Sequence, residues 1–317
     1  MTGTLDLASW TPIRVSLSRE TPMVEWCYTG ETRFSDPFFD QTIEHCLRRP
    51  FPLLFRQTTP IADAERLVAD TGVPEPAGFV FHASRCGSTL VSQMLAALPD
   101  AHVLSEPPPV DTVLRVRFAA PNVSHDQLVS WVRTIVLALA RPGSRSFYKF
   151  DSWSTVDLRL IRRAFPDTPW VFLYREPAEI IASQLRRRGA QMIPGVLPLE
   201  LFGLGAEAVN LPPEDYCARV VAAILSAALE ERVRDPGRSL FANYRTLPAG
   251  MLDAIAPLFS LELDGRERDA VLDVASRDAK NPALPYDAAQ SPPPSPAVVR
   301  AATQWAQPLF DQLEALG

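Results

Sequence analysis

Short apolar runs alternate with longer stretches of helical periodicity from residue 78 onward. The apolar runs predict buried strands near residues 79–81, 101–106, 146–151, 170–174 and 240–244. Helices are predicted near residues 90–95, 124–140, 154–165, 178–188, 213–234, 248–259 and 266–277. This alternation predicts an α/β fold with a doubly wound parallel sheet flanked by helices. Ligands of such sheets bind beyond the carboxyl ends of the strands.

Residues 1–77 differ from the rest of the chain and predict a small α+β extension. Two strands are expected near residues 13–17 and 23–28, and a short helix over 39–47. Proline-rich joints follow, and no chemistry is evident in this part of the sequence. We therefore expect two units, an N-terminal extension of unknown role over 1–77 and an α/β domain over 78–317.

Composition narrows the range of functions. The chain has 317 residues, 47% of them hydrophobic, and a net charge of −6, which does not suggest a nucleic-acid partner. The longest apolar stretch, about ten residues near 220–229, is shorter than the roughly 20 residues of a membrane span. No signal peptide is evident at the N-terminus. Four scattered cysteines lack the spacing of a zinc site or a disulfide framework, so a reducing cytoplasm is predicted.

Residues 84–89, Ser-Arg-Cys-Gly-Ser-Thr, follow one predicted strand and precede a predicted helix. A glycine-containing loop at a helix N-terminus points backbone N–H groups at one spot, with the positive end of the helix dipole behind them. Arg85 adds a permanent charge, and Ser88 and Thr89 add hydroxyl donors. The loop predicts a phosphate-type anion site; the structural alternative is a strand–turn–helix corner without a ligand. It has no lysine and does not match the loop of nucleotide triphosphatases.

A second segment places polar residues at the end of another predicted strand. Arg175 follows the apolar run 170–174, and Pro177 suits the first turn of a helix. Three arginines and then Gly189 suit the end of that helix. Arg175 and Ser183 therefore stand at the strand end and two turns into the helix. Without a ligand, they would be a salt-bridge partner and an ordinary helix serine.

Together these segments resemble the sulfotransferases that use 3′-phosphoadenosine-5′-phosphosulfate (PAPS). The loop is similar to the 5′-phosphosulfate loop of that family, and Arg175 with Ser183 is similar to its 3′-phosphate site. The resemblance implies a P-loop-type fold and PAPS as the donor. It also implies that the nucleotide product is 3′,5′-adenosine bisphosphate (PAP). The nucleotide ligands that it implies are Arg85, Cys86, Gly87, Ser88, Thr89, Arg175 and Ser183.

Two further positions resemble the family less closely. Tyr244 occupies the place of a tyrosine-containing segment, although Arg245 and Thr246 replace the acidic pair of that segment. Lys280 falls where the family places a late basic loop over the nucleotide, but the family's Arg-Lys-Gly-x-x-Gly signature is absent. The resemblance implies nucleotide contacts from Tyr244 and Lys280, and it covers roughly residues 78–285.

Sulfuryl transfer needs an aligned acceptor, compensation of the charge on the leaving phosphate and a base for the acceptor proton. Arg85 is the predicted partner of the leaving phosphate. Glu106 is the preferred base, because it ends a predicted strand where some relatives carry a catalytic glutamate. Asp151 is the alternative, near the place of a Lys-x-His segment. A metal is neither needed nor implied.

Two other functions share this fold. A P-loop nucleotide-dependent kinase would use the same sheet and anion loop, although the Gly-Lys-Ser/Thr string is missing. A non-catalytic nucleotide-binding protein would keep the site without turnover. For the sulfotransferase, the acceptor would be a small molecule, a glycan or a peptide with a hydroxyl or amine. Neither the acceptor nor the oligomeric state follows from the sequence.

Overall fold

The computed structural model describes residues 5–18, 21–279, 281–285 and 292–316. The described residues of the N-terminal extension form three strands and three helices. They are β1 (Trp10–Ser18), β2 (Thr21–Tyr28), α1 (Phe39–Leu47), α2 (Pro50–Leu54), β3 (Gln57–Pro60) and α3 (Ile61–Thr71). The strands form an antiparallel sheet in the order β1–β2–β3.

The remaining elements begin with the alternation that the sequence predicts. They are β4 (Gly78–His82), α4 (Ser88–Ala96), β5 (Ala101–Ser105), α5 (Pro108–Ala119), α6 (His125–Leu139), β6 (Arg145–Lys149), α7 (Leu158–Ala164), β7 (Trp170–Tyr174), α8 (Pro177–Arg186), α9 (Pro213–Arg234), β8 (Ser239–Asn243), α10 (Ala249–Leu258), α11 (Gly265–Val274), β9 (Arg277–Asp278), β10 (Asn281–Pro285), α12 (Pro296–Trp305) and α13 (Gln307–Leu316). A short 3-10 helix, Ser152–Asp157, follows β6.

Five strands form a parallel sheet in the order β5–β6–β4–β7–β8. All residues of β4, β5 and β7 are buried, as expected for strands that are covered by helices on both faces. The predicted α/β class with a parallel sheet is therefore confirmed. From β4 the chain runs to β5 and β6 on one side of that strand and then crosses to β7 and β8 on the other side. The carboxyl ends of β4, β6 and β7 therefore border a crevice, and ligands of such sheets bind in a crevice of this kind.

Helix α8 begins where the sequence predicts but ends two residues earlier than expected. Pro177 occupies the first turn, and the helix stops at Arg186 because Arg187 is extended (φ −147°, ψ 95°). The side chain of Gln184 then accepts the N–H of Gly189 at 2.8 Å. The Gln184 side chain thus caps the turn that contains the three arginines, residues 186–188.

The extension is packed into the α/β domain rather than separated from it. Its buried residues belong to the same hydrophobic core as those of helices α5 and α6. Arg33 donates to the carbonyls of Ala96 and Leu98, each at 2.6 Å, and Arg141 donates to the carbonyl of Gly30 at 2.6 Å. The extension therefore contacts the helix that begins at the anion loop.

Helix α3 lies where the sequence analysis expects only proline-rich joints. Ile61 and Ala64 form its buried side, and Gly72 ends it in a left-handed conformation (φ 61°). The prolines on both sides obscure this pattern in the sequence. No helix among the described residues is long and apolar enough to cross a membrane.

Candidate active site

A cleft of about 1030 Å³ lies at the carboxyl ends of the central strands. Its walls come from the loop after β4, the ends of β5, β6, β7 and β8, helix α8 and the turn after α11. The predicted site residues on its lining are Arg85, Cys86, Gly87, Ser88, Thr89, Glu106, Asp151, Arg175, Ser183 and Tyr244. Lys280, also predicted, lies outside the described residues.

The anion loop holds an unusual backbone. Ser84 and Arg85 have positive φ angles of 73° and 52°, which non-glycine residues adopt at a cost, and Gly87 has a φ of 80°. Gly87 is the N-cap of α4. Within the described chain, the backbone N–H groups of Gly87 and Thr89 have no acceptor, and the N–H of Ser88 faces the sulfur of Cys86. The loop thus offers unpaired donors at a helix N-terminus, which suits an anion.

His82, the last residue of β4, holds this loop through a hydrogen bond to Ser84. Its Nδ1 accepts the N–H of Ser84 at 3.1 Å, so the ring proton resides on Nε2. That nitrogen donates to the carbonyl of Phe150 at 3.0 Å. The histidine is buried and helps to hold Ser84 in its left-handed conformation.

Cys86 faces the sheet rather than the cleft. Its Sγ lies 3.2 Å from the carbonyl of Leu173, and the side chain is completely buried. Burial raises the pKa of this thiol to about 12. A neutral, buried thiol is a poor nucleophile. The side chain therefore packs under the loop, and only the backbone of Cys86 is placed to face a ligand.

Gln184 connects the anion loop to helix α8. Its amide nitrogen donates to Ser84 Oγ at 2.7 Å, and its amide oxygen accepts the N–H of Gly189. The side chain is buried. We expect Gln184→Met to lower the free energy of unfolding by ~1–3 kcal/mol, because two buried polar groups lose their partner. Urea unfolding measures this change.

The matched control for this prediction is Gln307→Met, since the Gln307 amide makes one exposed hydrogen bond, to Asp311. The control should change stability by less than ~0.5 kcal/mol. Equal stability changes in the two variants would show that Gln184 does not support the loop.

Arginines dominate the side of the cleft formed by β4, β7 and α8. Arg85 donates to the carbonyl of Arg187 at 2.5 Å. Burial lowers the pKa of Arg85, and the positive charges of Arg187 and Arg186 lower it further. A bound anion would relieve this repulsion between like charges.

Arg175 is positioned by two neighbours. Its Nε donates to Glu179 at 2.5 Å, and its guanidinium carbon lies 4.4 Å from the centre of the Tyr244 ring. Ser183 lies two turns into α8 and lines the same cleft. Arg175, Ser183 and Tyr244, which are separated in the sequence, thus contribute to one wall.

Glu106 and Asp151 both line the opposite side of the cleft. Glu106 has a positive φ of 55°, and its Oε1 forms a short ion pair with the ammonium of Lys149 and lies 3.8 Å from His82 Nε2. Lys149 is only 1% exposed. Burial raises the pKa of Asp151 well above its usual value, and the charges of Glu106 and Asp111 raise it further.

Several residues of this site are not predicted from the sequence. Phe38, from the extension, lines the cleft, and its ring centre lies 5.0 Å from Lys149 Nζ. Trp153, Gln191 and Arg277 also line the cleft. Trp153 could have been found from the sequence, because it comes two residues after Asp151 at the end of a predicted strand. No sequence pattern indicates that Phe38 belongs to the site.

Among the described residues, no group of three or more His, Cys, Asp or Glu side chains is placed to hold a metal ion. Eight buried side-chain N or O atoms of the described chain have no hydrogen-bond partner, and the one among them that belongs to a cleft-lining residue is the amide oxygen of Gln191.

No protein-family model matches this sequence, and no curated protein matches it. Solved structures that resemble it are bacterial sulfotransferases, the family that residues 84–89 and 175–183 resemble. The sulfotransferase STF9 from Mycobacterium avium is 14% identical, covers 77% of each chain and has a TM-score of 0.49. The sulfotransferase STF1 from Mycobacterium tuberculosis is 16% identical, with coverage of 67% of this chain and 75% of the other and a TM-score of 0.43. A sulfotransferase from Alicyclobacillus acidocaldarius is 16% identical, with coverage of 77% and 96% and a TM-score of 0.45.

Proposed function

We propose that the protein is a PAPS-dependent sulfotransferase that acts on a hydroxyl or amine of an acceptor. The observation that carries this proposal is that two separate groups of hydrogen-bond donors line one cleft. The first is the loop 84–89, in which the N–H groups of Gly87 and Thr89 have no acceptor among the described residues, and the second is Arg175 with Ser183. The two sites follow adjacent parallel strands, β4 and β7. A nucleotide with phosphates at its 5′ and 3′ positions needs two such sites.

The residues present fit this donor. The backbone N–H groups of the loop, the hydroxyls of Ser88 and Thr89, and Arg85 would hold the 5′-phosphosulfate. Arg175 and Ser183 would hold the 3′-phosphate. Tyr244, which stacks on Arg175, borders the nucleotide. Lys280 remains a proposed nucleotide contact from the resemblance alone.

When bound, the donor supplies an activated sulfuryl group, with the phosphate of PAP as its leaving group. Arg85 compensates the negative charge that grows on the phosphate oxygen as the sulfur–oxygen bond breaks. Glu106 accepts the proton of the acceptor as the new bond to sulfur forms. The ammonium of Lys149 holds the Glu106 carboxylate in place through Oε1, which leaves Oε2 for the proton.

The geometry favours Glu106 over Asp151 as the base. Glu106 has a cation partner in Lys149, whereas the Asp151 carboxylate accepts no hydrogen bond from any described residue. A general base must be held in position, and Lys149 positions the Glu106 carboxylate through its ion pair. Asp151 is therefore proposed to contact the acceptor rather than to deprotonate it.

We place the reaction in the cytoplasm, in keeping with four cysteines that are all free thiols. The kinase alternative gains no support from the cleft, since its loop lacks the lysine that phosphate-loop kinases use.

Binding of PAP tests this proposal. We expect calorimetry to show PAP binding in the micromolar range, with much weaker binding of ADP and of ATP with magnesium. Arg175→Ala should weaken PAP binding about 10–100-fold, because a charge-assisted contact to the 3′-phosphate is lost. The matched control is Arg163→Ala, since Arg163 is exposed and pairs with Asp126 away from the cleft. A preference for ATP, or no PAP binding, would refute the proposal.

A further inference from the structure

The free hydrogen-bonding groups of the cleft separate by chemical type. On the side of β4, β7 and α8, they are donors: backbone N–H groups, hydroxyls and guanidinium groups. We call the other side the β6 side and define it by Phe38, Glu106, Asp151, Trp153 and Gln191. Its carboxylate and amide oxygens are hydrogen-bond acceptors, and the neighbouring Ser152 hydroxyl already accepts from Gln191. A ligand that fits the β6 side must therefore bring donors.

The negative charge of one residue on the β6 side, Asp151, has no positive partner among the described residues. Glu106 pairs with Lys149, and Asp111 pairs with Arg115 at 3.2 Å. These four groups are the charged neighbours that act on Asp151. Glu106 takes up Lys149, and Arg115 is shared between Asp111 and Asp157, whose Oδ2 lies 2.6 Å from Arg115 Nη1. The Asp151 carboxylate is therefore left without a cation partner among the described residues. Such a group is costly when it is ionised in a half-buried position, unless a ligand supplies the opposite charge.

Gln191 adds a second and independent observation. It is 3% exposed and lines the cleft, and its amide nitrogen donates to Ser152 Oγ at 3.0 Å. Its amide oxygen has no hydrogen-bond partner within the described chain. Buried amide oxygens are nearly always paired, so this atom points to a missing donor.

Two aromatic side chains complete the β6 side. Phe38 is half-buried and already faces the ammonium of Lys149. Trp153 is held by a hydrogen bond from its Nε1 to Asp111 at 2.7 Å. Aromatic rings beside carboxylates attract ammonium groups through the negative face of the ring.

We propose that the β6 side binds a protonated amine carried by the sulfuryl acceptor, with Asp151 as the charge partner and Phe38 and Trp153 as the aromatic walls. That this amine belongs to the sulfuryl acceptor rests on the function proposed above. That the β6 side binds an amine does not depend on that function. Acceptors with carboxylate, phosphate or sulfate groups near the reacting atom are excluded by the same carboxylates. The extension thus contributes to acceptor choice through Phe38.

Three probes of matched shape test the charge requirement: 2-phenylethylamine, 2-phenylethanol and phenylacetate. Their binding is measured by calorimetry with and without saturating PAP. We expect the amine to bind about tenfold or more tightly than the alcohol, and the acid to bind more weakly than the alcohol. The amine's advantage should grow as the pH rises through the raised pKa of Asp151, because the carboxylate becomes ionised over that range.

Variants identify the residues. Asp151→Asn should reduce the preference for the amine to less than about threefold, and Phe38→Ala should weaken binding of the amine by about fivefold or more. Asp126→Asn, at an exposed carboxylate that pairs with Arg163, is the matched control and should change nothing. Equal binding of amine and alcohol, tighter binding of the acid, no binding of the amine or an unchanged preference in Asp151→Asn would each overturn the proposal.

The two proposals fail separately. PAP binding is measured alone, and the amine is measured on the free protein as well as on the PAP-loaded protein. Loss of PAP binding with retained amine preference would refute the donor assignment and support the amine site. Retained PAP binding with no amine preference would support the donor assignment and refute the amine site.

Discussion

Glu106→Gln is expected to lower kcat about a thousandfold, since a positioned general base contributes about 10²–10⁴ to the rate. The amide keeps the shape of the side chain, and its oxygen can still accept from Lys149. PAP affinity should therefore stay within about twofold, because Glu106 is not a ligand of either phosphate site. The rate is measured by transfer of radiolabelled sulfate from PAPS to an acceptor found by screening amines first.

The comparison for Glu106→Gln is Asp151→Asn. We expect this variant to raise KM more than it lowers kcat, because Asp151 is proposed to bind the acceptor. Unfolding of both variants is followed in urea, so that a loss of folded protein is not mistaken for a loss of chemistry. A variant Glu106→Gln that keeps a tenth or more of the wild-type kcat, roughly, would contradict the role of Glu106 as base.

Gly87→Ala is expected to weaken PAP binding by about tenfold or more and to lower stability by ~1–3 kcal/mol. The φ angle of 80° is costly for alanine, and the new Cβ would lie 2.2 Å from Leu247 Cδ1. Either the loop or Leu247 must move, and the loop carries the N–H groups that are proposed to bind the 5′-phosphosulfate. Calorimetry with PAP and urea unfolding give the two quantities.

Gly72 provides the matched control for this substitution. It has a φ of 61°, ends helix α3 and has no atom within 4 Å of a new Cβ. Gly72→Ala should thus cost stability of about 1 kcal/mol and leave PAP affinity unchanged. The double variant Gly87→Ala/Leu247→Ala should recover part of the affinity by removing the overlap. Wild-type PAP binding by Gly87→Ala would show that the loop backbone does not form the donor site.

Much of the central sheet could be predicted because its strands are short, apolar and bounded by turn residues. The run 170–174 and helix α9 have the predicted bounds. Helix α9 carries its own signals, with proline and acids at its start and arginines at its end. Local sequence determines such features, so no knowledge of the fold is needed.

Other features depend on contacts between distant residues and could not be predicted. The left-handed conformations of Ser84 and Glu106 arise where the surrounding fold holds them, with no glycine to signal them. Phe38 reaches the cleft only because the extension packs on the domain, which hydrophobic periodicity does not reveal. The role of Gln184 likewise appears only when Ser84 and Gly189 are brought together.

The bridge that Gln184 makes has a kinetic consequence for turnover. By connecting the loop after β4 to the turn after α8, it holds together the two segments that carry the proposed phosphate sites. The product PAP retains both phosphates, so it keeps every contact that the proposed sites supply. We therefore expect strong product inhibition by PAP, which should compete with PAPS for the same groups on the protein.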